Sequence, residues 1–381
     1  MNQTSLPPKG EERIIFLDYL RTFATLMVIY VHSCEFFYID GDGVGIGSEG
    51  DRFWVSLIDS ALRSCVPLFA MMSGYLLLPL KEEQSVSKFY RRRFERVFIP
   101  FAIWLIFYAT LPALWGAIDG LTVQKNLSYL LFNFNGNNGH LWFVYMLLGL
   151  YLFMPIFSPW LSKVSKRGEQ AFLLVWFFTT FHHWGKAYIP VLLGDFYQPT
   201  MLGNTYQPTF YGECFWNEFH MFWYFSGYIG YVVLAHYIRT YIKWNTTKSL
   251  LIGTSLFLVG YYVTFSEFFG RTFTETSLYN LEISWRFCTF NVALMAAGVF
   301  IMFKTINHDK GLLYGIVKDI SRLSYGMYLM HIFILNAMYT VFHEHFENPT
   351  TIVLVGGSTF LLCYVLTKAL SYLPKSKYLV G

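Results

Sequence analysis

The sequence has few charged residues. Only 14% of its 381 residues are Asp, Glu, Lys or Arg, whereas 55% are hydrophobic and 20% are aromatic. A soluble domain carries roughly a quarter charged residues, so this composition excludes an ordinary soluble enzyme and indicates an integral membrane protein. The net charge of +4 is uninformative, and we expect no nucleic-acid partner.

The sequence also has few cysteines and no recognisable metal-binding motif. The five Cys residues are scattered and form neither a disulfide framework nor a CxxC pair. The histidines of His182–His183 and His343–His345 lack the HExxH spacing of a zinc site. We therefore expect no metal site and no tightly bound cofactor.

About ten stretches are long and apolar enough to cross the hydrocarbon core of a membrane, which takes about 20 residues per helix. They lie near 14–37, 54–79, 97–115, 140–160, 169–184, 216–237, 248–266, 284–304, 316–341 and 350–372. The sequence thus predicts an all-α, polytopic membrane helix bundle of about ten transmembrane helices. We expect one membrane domain over 14–372 between cytoplasmic segments 1–13 and 373–381, and we expect the tail after Pro374 to be too short to fold.

The segments that connect these spans alternate between many and few Lys and Arg residues. If the N-terminus is cytoplasmic, the inside segments hold the basic runs, including Arg91–Arg93, whereas outside segments carry only four basic residues. Those four are Arg52, Lys125, Lys186 and Arg271. This bias follows the positive-inside rule. It predicts an even number of spans, with both termini in the cytoplasm.

The first span, "LDYLRTFATLMVIYVHS" over 17–33, contains ionisable residues. Asp18, Arg21, Thr25 and His32 follow a 3-4-7 spacing, which places them on one narrow stripe of a helix. Asp18 and Arg21 are three residues apart and are predicted to pair. Arg21 and His32 lie about 16 Å apart along the axis, so one is near the inner face and the other near the outer face.

The predicted topology sorts the polar residues of the spans into two tiers. An outer tier holds His32, Glu35, Asp59, Arg63, His140, His220, Arg286 and His331. An inner tier holds Asp18, Arg21, Arg93, Arg96 and Arg322. Histidine beside a carboxylate is suited to proton transfer, and clustered Arg is suited to binding phosphates.

Each assignment has a structural alternative. Polar residues in membranes often only hold helices together, and His331 fits that role as well as a chemical one. The i,i+4 pair Asp59 and Arg63 favours an ion pair that steadies the second helix. The run Arg91–Arg96 is also typical of an anchor on anionic lipid.

Five motifs in order then point to one family. They are Arg21 and His32 as R-x10-H, "VPLFAMMSGYLLLP" at 66–79, Arg93 and Arg96 as R-x-x-R before Pro100, "HLWFVYMLLGLYLFMPI" at 140–156, and "SYGMYLMHIFIL" at 324–335. Together they closely resemble acyltransferase family 3 membrane proteins, over essentially the whole chain. The chain looks most like stand-alone bacterial members that O-acetylate surface polysaccharides or their lipid-linked precursors.

The resemblance implies roles for several residues. His32 matches the family's presumed catalytic histidine and Arg21 its partner in the motif, with Asp18 beside them. Arg93 and Arg96 match the pair thought to engage acyl-CoA, and Arg322 is added to them by its position. Glu35, Asp59, Arg63, His140, Arg286 and His331 are candidates for the acceptor or oxyanion site.

The expected reaction moves an acetyl or other short acyl group from cytoplasmic acyl-CoA to a hydroxyl of a glycan or lipid-linked saccharide. The expected location is the inner, cytoplasmic membrane, in contact with membrane lipid. A carrier or flippase for a glycan precursor, or a non-catalytic binding module, would suit the same polar spans. The sequence leaves open the acyl group, the acceptor, a direct or acyl-enzyme route, and the oligomeric state, for which a homodimer is one option.

Overall fold

The structure, a computed structural model, describes residues 13–41, 43–81, 85–130, 132–134, 136–202 and 205–381. It is almost entirely helical. The α-helices are α1 Ile15–Glu35, α2 Glu49–Leu62, α3 Cys65–Leu77, α4 Val86–Arg93, α5 Ile99–Thr110, α6 Gly120–Tyr129, α7 Trp142–Lys163, α8 Lys166–Thr179, α9 His182–Leu193, α10 Ile229–Tyr241, α11 Thr246–Thr274, α12 Leu278–Leu281, α13 Phe290–Phe303, α14 Gly311–Phe342, α15 Thr350–Ser371 and α16 Lys377–Val380.

Shorter elements connect these helices. A π-helical turn, Phe94–Phe98, joins α4 to α5. The 3₁₀ segments are Leu111–Trp115, Gly136–Leu141, Gly194–Phe196, Trp223–Phe225 and Glu282–Ser284, and the strands are β1 Ile39–Asp40, β2 Gly43–Val44, β3 Thr200–Leu202 and β4 Thr205–Gln207. Strands β1 and β2 pair antiparallel, with Ile39 opposite Val44, and β3 pairs with β4 in the same sense.

Seven helical stretches of the described chain are long and apolar enough to span a membrane. They are Ile15–Glu35, Glu49–Leu77, Val86–Trp115, Asn138–Lys163, Thr246–Thr274, Gly311–Phe342 and Thr350–Ser371. These correspond to seven of the ten predicted spans, so the all-α membrane bundle is confirmed. The number ten and the cytoplasmic position of the termini stay predictions.

The other three predicted spans coincide with shorter helices. The stretch 169–184 is divided between α8 and α9, and 284–304 is helical only from Phe290 as the apolar helix α13. The prediction of helix at the start of 216–237 is wrong, because α10 begins at Ile229. Just before it, His220 has a φ of 40° and Gly227 a φ of 76°, and such left-handed conformations interrupt a right-handed helix.

Helix α1 lies inside the bundle. It packs against α2, α3, α13, α14 and α15, and Leu20, Ala24 and Met27 on it are at most 1% exposed. Helices on several sides therefore hold its polar stripe away from lipid, where ionised side chains are costly.

Helices α11 and α13 approach each other closely through glycines. A Cβ atom on Gly260 would lie 2.3 Å from the carbonyl oxygen of Asn291, and one on Gly298 would lie 2.4 Å from that of Gly253. Small residues of this kind let membrane helices pack backbone to backbone.

The chain after α15 also folds, so the expectation that it is too short to do so is wrong. Helix α16 packs against α5, α14 and α15. The indole Nε1 of Trp104 donates a hydrogen bond to the carbonyl oxygen of Leu379 over 2.9 Å, and Val380 is 5% exposed. A buried side chain and one long-range hydrogen bond fix these few residues on the bundle.

The glycine contact between α11 and α13 gives a stability prediction. Gly260→Ala forces Cβ into the backbone of α13 and should lower the unfolding free energy by about 1–3 kcal/mol, as overpacking does. Gly270→Ala on the same helix is the matched control, since no atom lies within 4 Å of its Cβ position and Ala favours helix by about 1 kcal/mol over Gly. Thermal unfolding of the purified variants in detergent measures both. Equal midpoints for the two variants would contradict the close packing.

Candidate active site

One cavity of about 1950 Å³ runs through the bundle. We call the end lined by Arg21, Arg93 and Arg96 the inner end and the end lined by His32 and Arg63 the outer end, after the orientation that the sequence predicts. Helix α1 borders it along its length, with Asp18 and Arg21 towards one end and His32 and Glu35 towards the other. The predicted stripe thus lines a single path. Thr25 differs, because it is 2% exposed and its hydroxyl donates to the carbonyl oxygen of Arg21.

At the outer end, His32 and Glu35 interact directly. The Nδ1 atom of His32 lies 2.6 Å from Oε2 of Glu35, one turn further along α1. A carboxylate accepts a hydrogen bond, so the pair fixes the ring with its proton on Nδ1 and leaves Nε2 as an acceptor. The His32 side chain is 18% exposed. This is the geometry of an oriented general base.

Two further imidazoles surround His32. The ring of His331 on α14 has its centroid 5.1 Å from that of His32, and the ring of His140 lies 6.4 Å from His32 and 5.1 Å from His331. His331 donates from Nδ1 to the carbonyl oxygen of Tyr328 over 2.5 Å. The Nε2 atoms of His140 and His331 are buried without a hydrogen-bond partner in the described chain. Buried polar atoms normally have partners, so these two atoms are available to a substrate or water.

Asp59 and Arg63 form the i,i+4 ion pair expected from their spacing. The Arg63 Nε atom donates to Oδ2 of Asp59 over 2.7 Å, and Nη2 donates to the Tyr38 hydroxyl over 2.5 Å. The guanidinium carbon lies 3.3 Å from the centre of the Trp285 ring. Asp59 is 0% and Arg63 2% exposed, and Arg63 also borders the cavity. The pair thus has a structural role, and it also lies beside the outer end of the cavity.

Arg286 also lines the cavity, near its outer end. It donates from Nη1 to Nδ1 of His183 over 3.3 Å, and its guanidinium carbon lies 4.1 Å from the Tyr279 ring centre. Glu282 also lines the cavity. Burial raises the pKa of the Glu282 carboxyl, and the positive charges of Arg63 and Arg286 oppose that shift. Glu282 and His183 are site residues that sequence reasoning did not assign, because only the fold brings the segment Glu282–Ser284 and helix α9 to the cavity.

At the inner end, Asp18 pairs with Arg13 rather than with Arg21. Arg13 donates to both carboxylate oxygens, over 2.6 and 2.8 Å, and Asp18 also accepts from the hydroxyls of Tyr314 and Ser321. The prediction of an Asp18–Arg21 pair is therefore wrong, since partners from two other segments saturate the carboxylate. Among the described residues, Arg21 donates one longer bond, 3.3 Å, to Ser321 Oγ, and its charge stays available to the cavity.

Arg93 directly precedes the π-helical turn, Arg96 lies within it, and both line the cavity. The Arg93 guanidinium stacks near the rings of Phe89 and Tyr151, and its buried Nε has no hydrogen-bond partner among the residues described. Single π-helical turns are frequent at functional sites. Arg91, by contrast, is 81% exposed and pairs with Glu95.

Arg322 lines the inner end, but Asp319 already accepts a hydrogen bond from it over 3.0 Å. The cavity wall also includes Lys81, Arg239, Lys375 and Lys377, which sequence reasoning did not place there. Arg239 donates to the carbonyl oxygens of Tyr75 and Leu78, which is a structural role. The basic end is thus larger than the sequence indicated.

Comparison with protein families identifies the molecule. Residues 14–368 match the acyltransferase domain of acyltransferase family 3. The chain belongs to this family. The resemblance drawn from the five motifs is therefore confirmed, and the protein is a multi-pass membrane acyltransferase. Neither the curated proteins nor the solved structures gave a match.

The buried Asp59–Arg63 pair of the acyltransferase gives a second prediction. Arg63→Met leaves a buried carboxylate unpaired and should cost about 3–5 kcal/mol, as loss of one partner of a buried pair does. Asp59→Asn combined with Arg63→Met removes both charges and should recover part of that loss. Unfolding midpoints of the single and double variants measure the coupling. A double variant whose loss equals the sum of the losses in the Asp59→Asn and Arg63→Met single variants would show that the two side chains are not coupled.

Proposed function

We propose that this acyltransferase moves an acetyl or other short acyl group from cytoplasmic acyl-CoA to a hydroxyl of a cell-surface glycan or its lipid-linked precursor. Transfer takes place at the outer side of the inner membrane, with His32 as general base. The observation that carries the proposal is the single cavity that joins a basic inner end to the His32–Glu35 pair. Such a cavity suits a long donor with phosphates at one end and a reacting group at the other.

The donor, acyl-CoA, carries anionic phosphates at one end. Its phosphates would bind Arg93 and Arg96, with Arg21 and Arg322 nearby, since guanidinium groups bind phosphate oxygens in bidentate fashion. The pantetheine arm would then extend along α1 and bring the thioester towards His32, about 16 Å further along the helix axis. Acyl-CoA is a substrate here, and the proposal needs no tightly bound cofactor or metal.

At the outer end, His32 Nε2 takes the proton from the acceptor hydroxyl as its oxygen attacks the thioester carbonyl carbon. Glu35 keeps the ring oriented and stabilises the imidazolium. The tetrahedral intermediate carries an oxyanion, which needs a donor in place, and the candidates are His140, whose ring lies 6.4 Å from that of His32, and Arg286, which also lines the cavity. When the C–S bond breaks, the thiolate leaves and receives the proton from His32, giving an acyl ester and free CoA.

The acceptor assignment is supported by the walls of the outer half. Trp142 and Phe287 stack with ring centroids 5.5 Å apart, and both line the cavity beside Tyr228. Aromatic faces of this kind pack against sugar rings, and Arg286 adds hydrogen-bond donors. A hydroxyl-rich saccharide that enters from the outer side fits these surfaces. Membrane lipid surrounds the outside of the bundle.

An assay with radiolabelled acetyl-CoA tests the proposed function. Purified protein in vesicles is given the label together with candidate saccharide acceptors. We expect label to appear in an ester of the acceptor that hydroxylamine cleaves. Movement of a glycan precursor across the vesicle without label transfer would instead indicate a carrier, and acetyl-CoA binding without transfer would indicate a non-catalytic module.

Loss of the His32 imidazole should abolish most of the transfer. His32→Ala is expected to lower kcat by about 10²- to 10⁴-fold, the usual contribution of a general base, with little change in CoA binding. Glu35→Gln should give a smaller loss, because the ring stays but is less well oriented. His345→Ala, at an exposed position, is the matched control. A folded His32→Ala protein that still acylates its acceptor at the normal rate would rule out the base.

The arginines at the inner end should set donor affinity. Removing Arg93 and Arg96 together, as the double Ala variant, should raise KM for acyl-CoA by roughly 10- to 100-fold, given 1.5–3 kcal/mol for hydrogen bonds to charged groups. The double Ala variant of Lys88 and Arg92 is the matched control, since both are exposed and neither lines the cavity. An unchanged KM after loss of Arg93 and Arg96 would exclude them from the donor site.

A further inference from the structure

We infer that residues 371–381, which we name the C-terminal hook, form one wall of the donor site, and that Lys375 and Lys377 bind the phosphates of the donor. The inference rests on the proposed acyl-CoA donor and adds binding residues to it. It starts from the position of the hook, since Lys375, Lys377 and Val380 border the inner end of the cavity together with Arg93 and Arg96.

The hook is held in a defined position. Val380 is packed against α14, where a Cβ atom on Gly326 would lie 2.8 Å from the Cβ of Val380. Trp104 on α5 donates to the carbonyl oxygen of Leu379. Helix α16 also contacts the π-helical turn that separates Arg93 from α5. The π-helical turn thus contacts the hook and also positions the arginines. A ligand that binds the hook therefore lies in the same cavity as Arg93 and Arg96.

The backbone of the hook turns sharply at Lys375. This residue has a φ of 60°, a left-handed conformation that is uncommon for a side-chain-bearing residue and costs free energy. Hydrogen bonds close the turn, from Ser376 Oγ to the carbonyl oxygen of Ser371 and from the Tyr378 amide to that of Lys375. The turn lies in the cavity wall, which both Lys375 and Lys377 line.

Charge at the inner end favours an anionic ligand there. Among the residues that the structure describes, the acidic ones that line it are Asp18 and Glu95. Asp18 is bound by Arg13 and Glu95 by Arg91. The Lys377 ammonium lies 4.8 Å from the centre of its neighbour's ring, Tyr378, and both lysines are exposed. Like charges gathered around a cavity repel each other, and a polyanion such as the diphosphate of CoA relieves that repulsion.

Equilibrium binding of CoA to the purified full-length protein tests the inference. The measurement uses a neutral detergent, so that anionic lipid cannot occupy the lysines. Replacing Lys375 and Lys377 together by Ala should weaken CoA binding by about tenfold, as expected for two partly solvated charge contacts. Replacing both by Arg keeps the charge and should keep the affinity. The double Ala variant of Lys163 and Lys310, which are exposed and lie outside the cavity wall, is the matched control.

Each other outcome has a definite meaning. Unchanged CoA affinity in the Ala pair would overturn the inference, and so would equal losses in the Ala and Arg pairs, because packing rather than charge would then be responsible. Tighter binding in the Ala pair would overturn it as well, since the hook would then obstruct the site. If the unmodified protein does not bind CoA, the donor proposal itself fails, and the unfolding midpoint of each variant separates all of these results from loss of the fold.

Discussion

Charged side chains on a membrane helix must face a polar space, and helix α1 is placed in the bundle so that they do. Asp18, Arg21, His32 and Glu35 lie on the side that borders the cavity, while Leu20, Ala24 and Met27 are packed against other helices. Ionised groups in lipid cost several kcal/mol each, so α1 could not lie at the edge of the bundle. The position of α1 in turn requires helices on nearly every side of it, which accounts for its contacts with five others.

The same constraint acts on the outer end, where several polar groups are buried together. His32 and His331 each direct Nδ1 towards an oxygen, Glu35 Oε2 in one case and the Tyr328 carbonyl in the other. In the neutral form, each ring therefore offers Nε2 as an acceptor. Two acceptors with ring centroids 5.1 Å apart favour a hydroxyl or water as a third group between them. The protein thus shapes a place for a proton donor before any substrate arrives.

Much of this arrangement could be predicted from the sequence, because the strongest signals act within one helix. Hydrophobic length identified the seven long spans, and a 3-4-7 spacing placed Asp18, Arg21 and His32 on one side of α1. The i,i+4 spacing predicted the Asp59–Arg63 pair. Partners from distant segments could not be predicted in this way. Arg13 lies just outside the span, yet it binds Asp18 in place of Arg21, and His183, Glu282 and the C-terminal hook reach the cavity only through the fold.

The distance between Arg21 and His32 has a simple physical meaning in this structure. Eleven residues make about three helical turns and rise about 16 Å, so the two side chains point almost the same way at different depths. The inner end takes its basic residues from several segments, and the outer end takes its imidazoles from α1, the 3₁₀ segment Gly136–Leu141 and α14. Helix α1 is the element that supplies Arg21 to one end and His32 to the other. One extra residue between them would rotate His32 by about 100° relative to Arg21, which would turn one of the two away from the cavity. In the proposed mechanism, the spacing therefore keeps the anchoring of the donor and the transfer of its acyl group on one continuous path.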